Sequence, residues 1–343
     1  MRFDKVHLEA FGHALPDDPV TSLEIEARLA PLYERMGFEP GRIEMLTGIR
    51  ERRYWPKGTK SSEVAVRAGR AALEKSGIDP ARIGCLINAS VTRDHWEPAN
   101  ATIVHHLLGL APTCHVFDLS NACLGFVNAM TAVASMIEHG DVEAGLVVTG
   151  EDARDLVDET IRYLNDCDGV SRADVKQAIA SLTIASGAAA VVLTHRDATR
   201  RESRLVGGVV LAASEHHALC VGDHEESGPR MTTDADAILY KGTELAKRTW
   251  RELVRELGWA PESFERIVTH QVTAVHKKLL FETLELDPEI DFPTVETLGN
   301  TGSAALPISF SLAVDAGFIR AGQRVGLLGI GSGLNCIMLG VEW

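Results

Sequence analysis

The chain has 343 residues, 45% hydrophobic and 24% charged, an ordinary globular balance with room for two domains or one duplicated unit. Its formal net charge of −14 argues against nucleic acid as the main partner, yet leaves open a small anionic substrate met by a local basic mouth. No apolar run reaches a membrane span, "MRFDKVHLEAFGH" has no signal-like stretch, and the six scattered cysteines form no CxxC pair, so free thiols in a reducing cytoplasm are expected.

Strand-like and helix-like runs alternate, an α/β pattern. In chain order, "TGIRERR" (47–53) sets Arg50, Arg52 and Arg53 beside Tyr54 and Trp55. These arginines could meet phosphates of a carrier, or could serve surface and structural pairing. "CLINASVT" (85–92) reads as a strand, and "HWEPAN" (95–100) as a loop carrying Glu97. The pair His105–His106 lacks the partners of a metal site, as do His216 and His217, and no metal is expected.

"CHVFDLS" (114–120) has the character of a buried strand, and "LGFVNAMTAVASMIEHGD" (124–141) is a helical pattern that ends in Gly140. Between them lies "SNACLGF" (120–126). Cys123 is therefore either a small buried hydrophobe or a thiol at a helix N-terminus, where unpaired N–H groups and the dipole favour a thiolate. "ARDLVDETIRYL" (153–164) reads as a charged inserted helix, "DCDG" (166–169) has its glycine too early for a calcium loop, and "GDHEESGPRMTTDAD" (222–236) reads as an acidic inserted loop.

His270 ends the strand of "RIVTHQVT" (266–273), and Asn300 sits in the turn of "GNTGSAALP" (299–307), ahead of another helix. Singly, such a histidine is structural and such an asparagine is a turn residue. Together with Cys123 they supply a nucleophile and two neutral hydrogen-bonding groups. "GIGSGLNC" (329–336) is no dinucleotide fingerprint, because too little chain follows Gly333 to form a βαβ unit.

One common offset aligns "CLINASVT" with "RIVTHQVT" and "AGLVVTG" (144–150) with "VGLLGIG" (325–331). An internal duplication is expected, with halves 1–198 and 199–343 and the active site between them.

The order Cys, HQ, GNTG and a terminal Gly-rich loop resembles the thiolase superfamily in its ketoacyl synthase III branch. "TGIRERR", "ASGAAAVVL" (185–193) and "GIGSGLNC" carry the same likeness over essentially the whole chain. Within the branch, "NASVTRDHWEP" (88–98) and "LLGIGSGLNC" (327–336) are similar to the OleA group, which joins two fatty acyl-CoA molecules head to head.

The resemblance implies a five-layered αβαβα fold and a homodimer without a bound cofactor, using coenzyme A thioesters and possibly acyl carrier protein. It implies that Cys123 carries the acyl group, with the N–H groups of Cys123 and Ser332 holding the oxyanion. His270 and Asn300 would hold the enolate of the second thioester. Glu97 would be the base that removes its α-proton, acting in the partner's site; the alternative is a solvated loop carboxylate. Two departures stand out: "GRIEM" (41–45) lacks the family's adenine-stacking tryptophan, and HQAN is here "HQVT". The rival functions are a decarboxylating ketoacyl synthase III and an acyltransferase to an alcohol or amine.

Overall fold

The computed structural model describes residues 1–199, 201–225 and 228–343. Its strands are β1 (Val6–Ala14), β2 (Pro19–Thr21), β3 (Glu51–Arg53), β4 (Ile83–Asn88), β5 (His115–Asp118), β6 (Ala144–Glu151) and β7 (Gly187–His195). They continue as β8 (Arg204–Ala212), β9 (Cys220–Glu225), β10 (Gly228–Thr233), β11 (Arg266–Thr269), β12 (Arg324–Gly331) and β13 (Asn335–Glu342).

The main sheet runs β11-β12-β13-β8-β1-β7-β6-β4-β5. Its seam, between β8 and β1, is a single registered pair, His7 with Arg204, so two sheets meet there edge to edge. Both follow one connectivity. β4 is parallel to β6, which is antiparallel to β7, itself antiparallel to β1. Likewise β11 is parallel to β12, β12 antiparallel to β13, and β13 antiparallel to β8.

Side-chain alternation explains the layering. Along β7, Ala189, Val191 and Leu193 join the central core, whereas Ala188, Ala190 and Val192 face an outer one. The central core holds Phe126, Val133 and Ile137 of the helix Gly125–His139 with Ile308 and Phe310 of the helix Ala305–Asp315. Helix Ser61–Ser76 covers the outer face of the first sheet, and helix Ala235–Leu257 that of the second. The result is the five-layered αβαβα thiolase fold.

Two expectations need correction. The stretch 114–120 is not a buried strand: β5 is the free edge of the sheet, and Phe117 is 39% exposed. Nor is the acidic stretch simply a loop. It contains the β9–β10 hairpin, whose residues 226 and 227 lie outside the described residues. The charged segment does form a helix, Arg154–Asp166, packed with Arg172–Thr183 over a separate apolar cluster.

Candidate active site

Cys123 lies in a tight turn between β5 and the helix Gly125–His139. Ala122 before it has φ 45°, a strained conformation for a residue with a side chain. The thiol faces a cavity but is otherwise enclosed. Burial pushes it up to about 12, with Cys220 and then Glu151 adding to the rise. Burial thus works against the thiolate expected at the helix N-terminus.

The Gly-rich loop closes on this turn. It is the β12–β13 connection, with Ser332 directly after β12. A Cβ on Gly331 would come 2.9 Å from Leu124 Cγ and 3.6 Å from Cys123 Cβ, so only glycine lets the strand end press on the nucleophile turn. Asn335 Nδ2 donates to Asn121 Oδ1 and to the Ser332 carbonyl, both at 3.2 Å, stapling loop to turn.

His270 directly follows β11, and its N–H donates to the Leu328 carbonyl at 2.9 Å. Burial, with His276 nearby, pushes its imidazole down to about 4, so the ring is neutral at ordinary pH. Gln271 ties this turn to the one that carries Asn300. Its Oε1 accepts from the N–H groups of Thr294 and Val295 at 3.3 and 3.2 Å, and its Nε2 donates to Thr269 Oγ1 at 3.1 Å.

Asn300 is anchored through its main chain. Its N–H donates to the Thr183 carbonyl at 3.0 Å, and its carbonyl accepts from Ala185 N–H at 2.8 Å. Its Oδ1 accepts from Gly302 N–H at 3.0 Å, which commits that oxygen and leaves Nδ2 as the donor. Thr273, last of the altered HQVT, caps the helix Ala274–Leu284 by accepting from His276 N–H, and bonds His276 Nδ1 at 2.8 Å.

Cys123, His270, Asn300 and Ser332 all line one cavity of ≈ 450 Å³, whose walls are mostly apolar. Val175, Ile179, Leu239 and Leu280 are among them. Arg42, Arg172 and Lys176 also line it, and the Arg42 and Arg172 guanidiniums lie 4.5 and 5.1 Å from the Phe38 ring centre.

Of the two readings of the TGIRERR arginines, the structure gives structural pairing for Arg52 and Arg53. Arg52 is wholly buried and donates to Ser22 Oγ at 2.8 Å, and Arg53 donates to the carbonyls of Pro16 and Asp17. Both pair structurally. Arg42 stands inside "GRIEM", but no spacing rule joins it to Phe38 and Arg172. Cys220 and His276 also reach the cavity without any local signal.

Glu97 does not join this constellation within one chain. It is exposed and does not line the cavity. Its loop is nevertheless held at the base. Asp94 accepts from Ser62 N–H at 3.2 Å and from Ser62 Oγ, and Asp118 of β5 accepts from the N–H groups of Asn100 and Ala101 at 3.0 and 2.9 Å. That base is bonded to the end of β5, an edge strand of the sheet, and Trp96 at the tip is 95% exposed. No group of three or more His, Cys, Asp or Glu able to hold a metal occurs among the described residues.

A thiol, a neutral imidazole, a carboxamide and a Gly-rich loop around one apolar cavity are the parts that an acyl-transfer site needs. The chain belongs to the 3-oxoacyl-[acyl-carrier-protein] synthase III family: that family's model matches residues 117–214, and its C-terminal model matches residues 254–343. Within that class the likeness narrows. The acyl-CoA:acyl-CoA alkyltransferase of Shewanella oneidensis is 40% identical, and that of Xanthomonas campestris 37%, each over 100% of both chains. A cerulenin-bound structure of Xanthomonas campestris OleA superposes with a TM-score of 0.95 at 36% identity, over 100% of this chain and 98% of that one.

Proposed function

We propose that this protein joins two fatty acyl-CoA molecules by a non-decarboxylative Claisen condensation, giving a 2-alkyl-3-oxoacyl thioester. One observation carries the reading: four turns far apart in sequence bring Cys123, His270, Asn300 and Ser332 to a single apolar cavity with a cationic lining. Relatives named acyl-CoA:acyl-CoA alkyltransferase over their full length support it.

In the first half-reaction the Cys123 sulfur attacks the acyl carbonyl. The oxyanion rests on the N–H groups of Cys123 and Ser332, and the thiol proton leaves with coenzyme A. In the second, the α-proton of another acyl-CoA passes to a carboxylate base. The enolate oxygen is held by His270 and Asn300 Nδ2, neutral donors that stabilise charge without an added cation. The α-carbon then attacks the acyl-Cys123 carbonyl, the carbon–sulfur bond breaks, and the cysteine recovers its proton from the base. Arg42, Arg172 and Lys176 suit the phosphates of the carrier.

Glu97 of the partner subunit is the base in this reading. The unpaired β5 edge and exposed Phe117 favour a homodimer built across that edge, which puts the neighbouring Glu97 loop on the shared face. In Xanthomonas campestris OleA a glutamate and a cysteine have been replaced in solved variants, and they lie as far apart in that chain as Glu97 and Cys123 do here. In this reading the protein works in the cytoplasm, in lipid synthesis.

The test is incubation with one acyl-CoA, with product identified by mass spectrometry. Condensation without malonyl carrier protein is expected, and Glu97→Gln should keep acyl loading on Cys123 while losing the new carbon–carbon bond. Activity only with malonyl carrier protein would assign decarboxylating synthase chemistry, and release of coenzyme A only with an alcohol or amine would assign simple acyl transfer.

A further inference from the structure

Glu151, the last residue of β6, is buried, and no step of the chemistry above uses its carboxylate. Its Oε1 accepts from Val91 N–H at 2.9 Å and from Ser303 Oγ, and its Oε2 accepts from Thr92 N–H at 3.0 Å and Thr92 Oγ at 2.8 Å. These donors are uncharged and come from two segments. Val91 and Thr92 begin the loop whose tip is Glu97. Ser303 ends the turn that holds Asn300: Gly302 N–H binds Asn300 Oδ1, and a Cβ on Gly302 would meet Glu151 Cγ at 3.5 Å. Ser303 Oγ also lies 2.5 Å from Thr149 Oγ1.

Burying a carboxylate is costly, and desolvation raises its pKa, so an apolar or amide residue would serve a purely structural role at less expense. What only a carboxylate does is accept four donors while donating none. An amide in its place would set an NH2 against one of the two backbone donors, Val91 N–H or Thr92 N–H, whichever way it turned.

We propose that Glu151 is a positioning residue that fixes two parts of the condensing machinery at once: the Asn300 turn of its own site and the Glu97 loop that serves the neighbouring site. This inference rests on the reading above that Glu97 acts across the dimer. Glu151 also raises the thiol of Cys123 in its own chain, so loading is read in a subunit that keeps its own Glu151. Condensation depends on both ends of the link.

The test uses co-expressed, differently tagged chains to make mixed dimers. One chain carries Cys123→Ala, so only the other can turn over. Adding Glu151→Gln to the Cys123→Ala chain leaves every residue of the working subunit's own chain intact. Acyl loading of the working Cys123 should stay within about threefold, while condensation falls about tenfold or more, the scale of a small misplacement of a catalytic group.

Two milder variants check the result if Glu151→Gln fails to fold. Thr92→Val should slow condensation only when placed in the Cys123→Ala chain, and Ser303→Ala only when placed in the working chain. Unchanged condensation with Glu151→Gln in the Cys123→Ala chain, or the reverse pattern for the milder pair, overturns the inference. The same dimers with Glu97→Gln in the Cys123→Ala chain test the underlying reading separately. If that substitution leaves condensation intact, the cross-subunit base itself is wrong.

Discussion

Asn300→Asp is the substitution for which the structure gives the sharpest expectation. The side chain keeps its shape, and Gly302 N–H, 3.0 Å from Oδ1, still finds a carboxylate oxygen. The main-chain bonds to Thr183 and Ala185 do not involve the side chain, so the turn stays in place. What changes is the other arm, where an NH2 donor becomes an anionic oxygen. In the proposed reaction Asn300→Ala removes one donor to the enolate, an expected cost of about 3–4 kcal/mol, or about a hundredfold to a thousandfold. Asn300→Asp also adds repulsion between two negative oxygens and should be slower still. Neither change touches the Cys123 and Ser332 N–H groups, so loading should persist. The assay follows acyl-Cys123 by mass spectrometry and product by extraction, from the same incubation. Should Asn300→Asp condense within about tenfold of the parent, or lose acyl-Cys123 along with product, Asn300 is not the enolate donor described here.

Three further expectations follow from the same geometry. Because burial pushes the Cys123 thiol up to about 12, alkylation of the free protein should be slow at neutral pH. It should climb about tenfold per pH unit toward pH 10, and a plateau below pH 8 would mean that the helix N-terminus does hold a resting thiolate. Gln271→Leu strips the acceptor from the buried N–H groups of Thr294 and Val295 and should lower unfolding free energy by about 2–4 kcal/mol; an unchanged urea midpoint refutes that tie. Replacing Arg42 and Arg172 together with Ala should raise KM for acyl-CoA about tenfold but not for an acyl-pantetheine lacking the nucleotide; equal effects on both would remove these arginines from phosphate binding.

The sequence by itself determined the α/β class and the turns at strand ends that the fold brings to one cavity. The short, continuous, β-branched apolar run of Gly187–His195 reads as a strand buried on both faces, and a long apolar helix stopped at Gly140 is a local matter. The turns that carry Cys123, His270, Asn300 and Ser332 were legible because each is short and its own residues dictate its geometry.

Long-range placement and solvation were not legible. Whether Cys123 is thiol or thiolate depends on how completely distant segments exclude water, and a helix N-terminus in the sequence carries no measure of that. Arg42, Phe38 and Arg172 become one mouth only when helices far apart in the chain pack together, while Arg52, beside a suggestive motif, is drawn into the core. The stretch 114–120 reads as buried because its side chains are apolar, yet tertiary structure leaves it at a sheet edge. Local pattern fixes conformation and which face is apolar; only the assembled layers decide what that face meets.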